Sequence, residues 1–205
     1  MNLFSAAVSN IRLLLNIPTI PPPLATRTGP LLVHISDTPH AIYPYIYRLI
    51  EALKPEYLVH TGDIVDNAKI GIRKAEQAEY HTHIKGFLHT LESLPAEKIF
   101  LVPGNHDNIS AIETYIYRST ILPEATTILC EGVRVETAHY IEHIREQGDF
   151  FLYGHNGTYM KSPLYLNGYS NINCILLHSK TVVTIPYPYG THEHRGIRPL
   201  FPRGV

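Results

Sequence analysis

Five apolar runs in this sequence each end beside a side chain that can bind a metal ion. The runs read LLVHIS, YLVHT, KIFLVP, VRVETA and FFLYG, at residues 31–36, 57–61, 98–103, 133–138 and 150–154. The potential ligands that follow them are, in chain order, Asp37, Asp63, Asn105, His139 and His155. Carboxylate and amide oxygens, together with imidazole nitrogens, suit divalent ions of borderline hardness. The pattern therefore predicts a metal site, provided that the five runs bring their ends together.

The most specific of these motifs is GNHD at residues 104–107. Its four small or polar residues come directly after KIFLVP and have no packing rationale. Taken alone, GD at 62–63, His139 and GH at 154–155 are each more typical of turns or of hydrogen-bonded histidines. Their occurrence in order, each at the end of an apolar run, favours a shared site over turn chemistry.

The runs must be strands of an α/β domain for their ends to meet. In open α/β sheets, binding sites form outside the carboxyl ends of the strands, which is where all five potential ligands lie. Between and after the runs, apolar residues recur with a helical period, and the predicted helices cover 41–53, 74–92, 109–118 and 140–146. After residue 160 the pattern predicts strands, with a hairpin that turns near Ser179 and Lys180.

Composition narrows the class of protein. Of the 205 residues 44% are hydrophobic, and the formal net charge is −1 without a block of Lys or Arg, which disfavours binding to duplex nucleic acid. Two cysteines are too few for a disulfide framework. The apolar N-terminus has no basic residue ahead of it and is interrupted by Arg12, and no other stretch approaches membrane-spanning length. We therefore expect a cytoplasmic protein that does not act at a membrane.

Residues 1–29 are predicted to form an N-terminal appendage to a domain that covers 30–205. The appendage combines a short amphipathic helix within 3–16 with a segment that holds five prolines between positions 18 and 30 and should be extended or irregular. It could dock on its own domain or be exchanged with a partner chain, which would make an oligomer.

With these motifs in order, the chain resembles the calcineurin-like metallophosphoesterases. The resemblance covers about residues 31–170 and rests on ISD at 35–37, GDIVD at 62–66, GNHD at 104–107, His139 and GH at 154–155. It implies a four-layer αββα sandwich of two mixed β-sheets flanked by helices. It also implies two divalent metal ions between the strand ends, drawn from Mn, Fe, Zn or Ni with Mn favoured.

The resemblance also implies a role for each site residue. Asp63 would bridge the two ions, and Asp37 would belong to one of them. The other ion would take Asn105, His139 and His155. His106 would act as the acid or transition-state donor, held in position by Asp107.

Two departures from the family pattern fall on one side of this centre. The family usually has Asp-x-His at the first motif and Gly-His-x-His at the last, but this chain has Pro39 and Gly157 where those histidines belong. Both missing ligands would serve the ion that Asp37 binds. Three explanations stay open. His40 and a distant histidine could replace them, the distant candidates being His178, His192 and His194. The second ion could be weak and arrive with substrate, or the site could have decayed.

The resemblance therefore implies hydrolysis of phosphodiester or phosphomonoester bonds by attack of a metal-bound hydroxide. We expect a small phosphorylated substrate, with nucleotides among the candidates. The alternative is a catalytically weakened or silent scaffold of the same fold. A nuclease subunit is a third hypothesis, and it would need a positive groove that the composition does not indicate.

Overall fold

Two mixed β-sheets packed face to face form the centre of the protein. A computed structural model describes residues 17–66, 74–157 and 162–195. The strands, in chain order, are β1 Leu31–Ile35, β2 Tyr57–His60, β3 Lys98–Leu101, β4 Thr120–Ile121, β5 Thr126–Cys130, β6 Val133–Thr137, β7 Phe150–Tyr153, β8 Tyr165–Asn167, β9 Ile172–Leu176 and β10 Thr181–Ile185. The larger sheet has the order β10-β9-β1-β2-β3-β4 and the smaller sheet β5-β6-β7-β8.

Helices cover the outer face of the larger sheet. The helices are α1 Pro22–Ala25, α2 Tyr43–Leu53, α3 Lys74–Ser93, α4 Ile109–Tyr115 and α5 Thr191–His194, with 3-10 turns at His40–Ile42 and Ile141–His143. Helix α2 buries an apolar stripe that includes Tyr45, Ile46, Leu49 and Ile50. This stripe joins residues of α3 and β1 in one core cluster, while a second cluster lies between the sheets. Two mixed sheets with flanking helices confirm the predicted fold.

The sheet topology brings the predicted ligands to one edge. Strands β1, β2 and β3 pair in parallel, so the residues that follow them emerge together. Strands β6 and β7 pair in parallel in the smaller sheet and deliver two further strand ends. The predicted hairpin is confirmed, since β9 and β10 are antiparallel and Lys180 lies in its turn with a φ of 52°.

Two local predictions were wrong. The predicted helix over 140–146 is only the 3-10 turn Ile141–His143. Its neighbouring main-chain amides, those of Arg145 and Gln147, donate instead to the buried carboxylate of Glu136, at 2.7 and 2.9 Å. The proline-rich segment also contains a helical turn, α1, which proline can begin because the first helical position needs no amide donor.

The part of the appendage that the structure describes packs on the domain. Leu24 is buried in the core cluster, and the guanidinium of Arg27 donates to main-chain carbonyls of Leu53 and Lys54. The predicted helix within 3–16 lies outside the described residues. Within the described ranges, we find no helix that is both long and apolar enough to cross a membrane.

Two buried histidines make stability depend on pH. Burial lowers the pKa of His34 and of His60 from 6.5 to about 3. Both ring nitrogens of His34 are engaged, with the Thr61 hydroxyl at 2.9 Å and the Asn173 amide at 3.2 Å. The unfolded chain takes up a proton at each of these histidines below about pH 6.5 while the folded chain does not, so their contribution to folding stability falls as the pH falls from about 6.5 towards 3.

We therefore expect His34→Gln to reduce the pH dependence of stability. Between pH 6 and pH 5 the free energy of unfolding should fall by about 1 kcal/mol less in this variant than in the wild type. Urea unfolding at the two pH values measures the difference. His89→Gln, on the exposed face of α3, is the matched control and should keep the wild-type slope. An unchanged slope in His34→Gln would contradict the prediction.

Candidate metal centre

Four of the predicted ligands converge from the two sheets. Single ligand atoms of Asp63, His139 and His155 lie within 4.8 Å of one another. The Oδ1 atom of Asn105 lies 3.0 Å from Nε2 of His139 and 3.1 Å from Nδ1 of His155. These oxygen and nitrogen atoms surround one point, and their chemistry suits a divalent ion of borderline hardness.

The orientation of His139 is set by a main-chain carbonyl. Its Nδ1 lies 2.7 Å from the carbonyl oxygen of Thr61. Because a carbonyl can only accept, Nδ1 carries the proton, and the lone pair of Nε2 is left to face the centre. A ligating histidine commonly donates its other ring nitrogen in this way. The ring is fully buried, so its direction is fixed before any ion binds.

Three of the site residues have backbone in the left-handed region. The φ angles are 51° at Asp37, 52° at Asp63 and 65° at His155. This conformation is uncommon for residues other than glycine and costs about 1–3 kcal/mol at each position. Hydrogen bonds around the centre hold it, since the amide of His155 donates to Oδ2 of Asp37 at 3.0 Å and the amide of Asp37 donates to the Gly62 carbonyl at 2.9 Å.

Glycine is required where the chain crosses closest to the ligands. A Cβ atom at Gly104 would lie 2.5 Å from the main-chain nitrogen of Asp63 and would collide with the Oδ1 atom of the same residue. A Cβ atom at Gly154 would lie 2.6 Å from Oδ2 of Asp37 and would collide with the Ser36 hydroxyl. These contacts explain the glycines that precede the ligands in the sequence.

A second group of potential ligands consists of carboxylates alone. Oxygen atoms of Asp37, Asp63 and Asp66 lie within 4.8 Å of one another, and all three residues are buried. Burial, followed by the negative charge of Asp63, raises the pKa of Asp37. Buried carboxylates this close together are unfavourable unless cations offset them. The residues present at the centre therefore fit a divalent ion.

The comparisons with known proteins agree with this geometry. A family model described as calcineurin-like phosphoesterase matches residues 31–198. The chain belongs to this family. Among curated proteins, no sequence matches the chain.

Solved structures resemble this calcineurin-like phosphoesterase over most of its length. One has a TM-score of 0.52 at 12% identity and covers 78% of this chain and 100% of its own, which supports the shared fold. Yfce, a phosphoesterase from E. coli, has a TM-score of 0.48 at 16% identity and covers 77% of this chain and 99% of its own.

In this calcineurin-like phosphoesterase, Asp107 holds the loop rather than the His106 ring. Its Oδ2 accepts from the amide of Gly104 at 2.8 Å, and its Oδ1 accepts from the amide of Ile64 at 2.9 Å. Burial and the charge of Asp63 raise the pKa of Asp107 to about 7. Within the described ranges no hydrogen bond joins this carboxylate to the imidazole of His106. Asp107 therefore anchors the loop that carries His106, and its predicted role in positioning that histidine stays a prediction.

His106 remains beside the centre. Its amide donates to Oδ1 of Asp63 at 3.0 Å, and its side chain is half-exposed. Burial and the neighbouring His139 lower the pKa of His155, and His106 adds to the same effect. A low pKa keeps the His155 ring neutral, which is the form that binds a metal.

His40 is not brought together with the other predicted ligands. Neither ligand group among the described residues contains it. Its ring instead stacks on His83 of α3, with the ring centroids 4.2 Å apart and the planes within 10°. Proline at position 39 has φ −68° and ψ 146° and leads directly into the 3-10 turn that carries His40. The predicted replacement of the missing histidine by His40 has no support from this geometry.

The distant histidines do not supply the missing ligands either. Nδ1 of His192 lies 3.3 Å from a guanidinium nitrogen of Arg195, and His194 is exposed. His178 lies against Gly29, at the opposite end of β1 from Asp37.

Two residues near the centre were not predicted as part of it. Asp66 belongs to the carboxylate group, and its signal was the second aspartate of GDIVD. Tyr140 places its ring centroid 4.4 Å from that of His155 and 4.9 Å from that of His139. Tyr140 directly follows His139 in sequence, so the segment after β6 supplies both a potential ligand and an aromatic ring that packs beside it.

Proposed function

We propose that this calcineurin-like phosphoesterase hydrolyses phosphodiester or phosphomonoester bonds of small phosphorylated compounds in a metal-dependent reaction. One observation supports this function above the others. Asp63, Asn105, His139 and His155 come from four separate strand ends and converge on one point beside buried carboxylates. Such a set has no role in packing, and its buried members, Asp63 and His139, are costly to place together unless an ion binds there.

The ligand set would hold one ion firmly, with Mn²⁺ favoured. A divalent ion there supplies Lewis acidity and lowers the pKa of water near the phosphoryl group. The chain fixes the ligands through the Thr61 carbonyl on His139 and the Asp107 carboxylate on the GNHD loop. The Asp37 side offers carboxylates without histidine, so we expect any ion there to be weaker.

His106 is the residue we assign to proton transfer. Its half-exposed imidazole lies on the ligand loop, and its own amide is anchored to Asp63. In this position it can donate a proton to the leaving oxygen or a hydrogen bond to the phosphoryl group. Tyr140 packs beside His139 and His155, and its ring provides a flat surface for an aryl or base group of the substrate.

The substrate class follows from charge. Net charge is −1, without a basic run, which favours a small phosphorylated compound, a nucleotide among the candidates, over duplex nucleic acid. The cytoplasmic location inferred from the N-terminal sequence, the apolar stretches and the two cysteines stays a prediction, as does an oligomer formed through residues 1–29.

Removal and return of metal tests the function directly. Protein treated with a chelator should hydrolyse an aryl phosphodiester such as bis(p-nitrophenyl) phosphate at least about 10²-fold more slowly than the same protein after Mn²⁺ is added back. Released nitrophenolate measures the rate. Turnover that is unaffected by the chelator would contradict a metal-dependent reaction. No turnover with Mn²⁺, Zn²⁺, Fe²⁺ or Ni²⁺ would favour the scaffold instead.

A further inference from the structure

A buried arginine lies beside the carboxylate group. Arg195 follows α5, and only 4% of its surface is exposed. Its Nε donates to the main-chain carbonyl of Asp37 at 2.7 Å. Its two terminal nitrogens donate to the carbonyls of Ser36, at 3.1 Å, and Tyr169, at 2.6 Å. The guanidinium is thus fixed at the end of β1, where the first motif begins.

Two aromatic rings pack against this guanidinium. Its central carbon lies 4.3 Å from the ring centroid of Tyr169 and 4.8 Å from that of Tyr187. The hydroxyl of Tyr187 in turn accepts from the Ser36 amide at 3.2 Å and donates to the Gly168 carbonyl at 2.7 Å. A guanidinium that donates to three carbonyls, packs against two rings and is almost fully buried is held in one orientation. Arg195 is therefore a fixed charge of the site.

The charge of Arg195 acts on the carboxylates. Its Nε lies 3.6 Å from Oδ2 of Asp66, and both side chains are buried. A guanidinium remains protonated in proteins. Arg195 therefore places one fixed positive charge beside the three buried carboxylates and reduces the positive charge that bound ions must supply there.

The missing histidines fall on the side that Arg195 occupies. The side chain of Pro39 offers no ligand atom, and Gly157 has no side chain where the family pattern has histidine. Among the described residues, none of the histidines considered as replacements belongs to the carboxylate group. A second ion would therefore have carboxylates alone as protein ligands and a fixed positive charge close by, which repels it at short range.

We propose that Arg195 takes the place of the second metal ion, so that the centre binds one divalent ion tightly and the guanidinium neutralises the Asp37 side. This inference rests on the proposed metal-dependent function. It explains how the chain can lose two ligands on one side and still bury Asp37, Asp63 and Asp66 together.

The number of Mn²⁺ ions bound by the full-length wild-type protein is the first test. Isothermal titration should give one tight ion per chain. Electron paramagnetic resonance of the loaded protein should show the hyperfine-resolved spectrum of isolated Mn²⁺. Two tight ions with an exchange-coupled spectrum would overturn the inference. This measurement needs no variant, so it is independent of how any substitution folds.

Arg195→Met is the second test, because it removes the charge and keeps an unbranched side chain of similar length. It should bind a second Mn²⁺ at least about tenfold more tightly than the wild type does. Arg195→Lys retains a positive charge and should restore one-ion binding. Arg134→Met, at a position whose side chain is 63% exposed, is the control and should match the wild type. One-ion binding by a folded Arg195→Met, identical to that of the wild type, would overturn the inference.

The two proposals fail in different ways. A protein that binds one Mn²⁺ but hydrolyses no phosphoester would refute the proposed function and leave the role of Arg195 supported. A protein that hydrolyses phosphoesters with two tightly bound, coupled ions would refute the role of Arg195 and leave the proposed function intact.

Discussion

Asp63→Asn should lower Mn²⁺-dependent hydrolysis by about 10³-fold or more, because the carboxylate that both ligand groups share would lose its charge. Asp63 is the one residue that belongs to the His-containing group and to the all-carboxylate group. Its Oδ1 also accepts from the amide of His106 at 3.0 Å. Asparagine has nearly the same shape, so the substitution removes charge and changes little of the packing. Turnover of an aryl phosphodiester at saturating Mn²⁺ measures the loss.

Asp149→Asn is the matched control for this substitution. Asp149 makes surface ion pairs with Lys180 and Arg134, and such pairs contribute little. We expect the control to retain the wild-type rate within about a factor of two. Wild-type turnover by Asp63→Asn would exclude the proposed centre, whatever the control shows.

Gly104→Ala should reduce Mn²⁺ affinity by about 10²-fold or more, with turnover falling in parallel, because one methyl group cannot fit between the ligand loops. The new Cβ atom would lie 2.5 Å from the main-chain nitrogen of Asp63 and 2.8 Å from Cε1 of His139. Backbone atoms and a fully buried ring cannot move aside cheaply. The ligands must therefore separate to admit the methyl group. Isothermal titration with Mn²⁺ measures the change.

Gly86→Ala is the control for the addition of a methyl group. Gly86 lies within α3, and a Cβ atom there would meet nothing within 4 Å. Alanine is the better helix former, so this variant should gain about 1 kcal/mol in free energy of unfolding and keep wild-type affinity. Equal Mn²⁺ affinity in the two glycine variants would show that the close approach at residue 104 does not shape the site.

The fold was predictable where chain periodicity and strand ends carry the signal. The apolar runs predicted five strands with bounds close to those observed. The helical period of the apolar residues in 41–53 predicted α2. Strand β5 was missed because its alternation is short. Ile128 and Cys130 point inward while Leu129 is 67% exposed. The turn that joins β5 to β6 is Glu131-Gly132, with φ of 48° and 80°, a pair typical of a tight hairpin.

The candidate site was predictable as a set of residues but not as a distribution of charge. Each residue of the His-containing group follows an apolar run. The position of these residues in the sequence was therefore enough to identify the set. Arg195 had no such signal. It follows no apolar run, and apart from Tyr187 the contacts that fix its orientation are with Ser36, Asp37 and Tyr169, which lie far from it in sequence. Long-range charge pairing of this kind leaves no periodic trace.

The anchoring of His139 joins the two sheets mechanically. This histidine follows a strand of the smaller sheet, yet its ring is bonded to the carbonyl of Thr61, directly after a strand of the larger one. An ion bound by both Asp63 and His139 would link the two sheets. Because it binds only the folded chain, its binding free energy would add to the free energy of unfolding. Conversely, a smaller side chain in the core between the sheets, for example at Val135, would lower the affinity for metal although it lies away from the ligands. Metal binding and the stability of the fold would thus depend on the same packing between the two sheets.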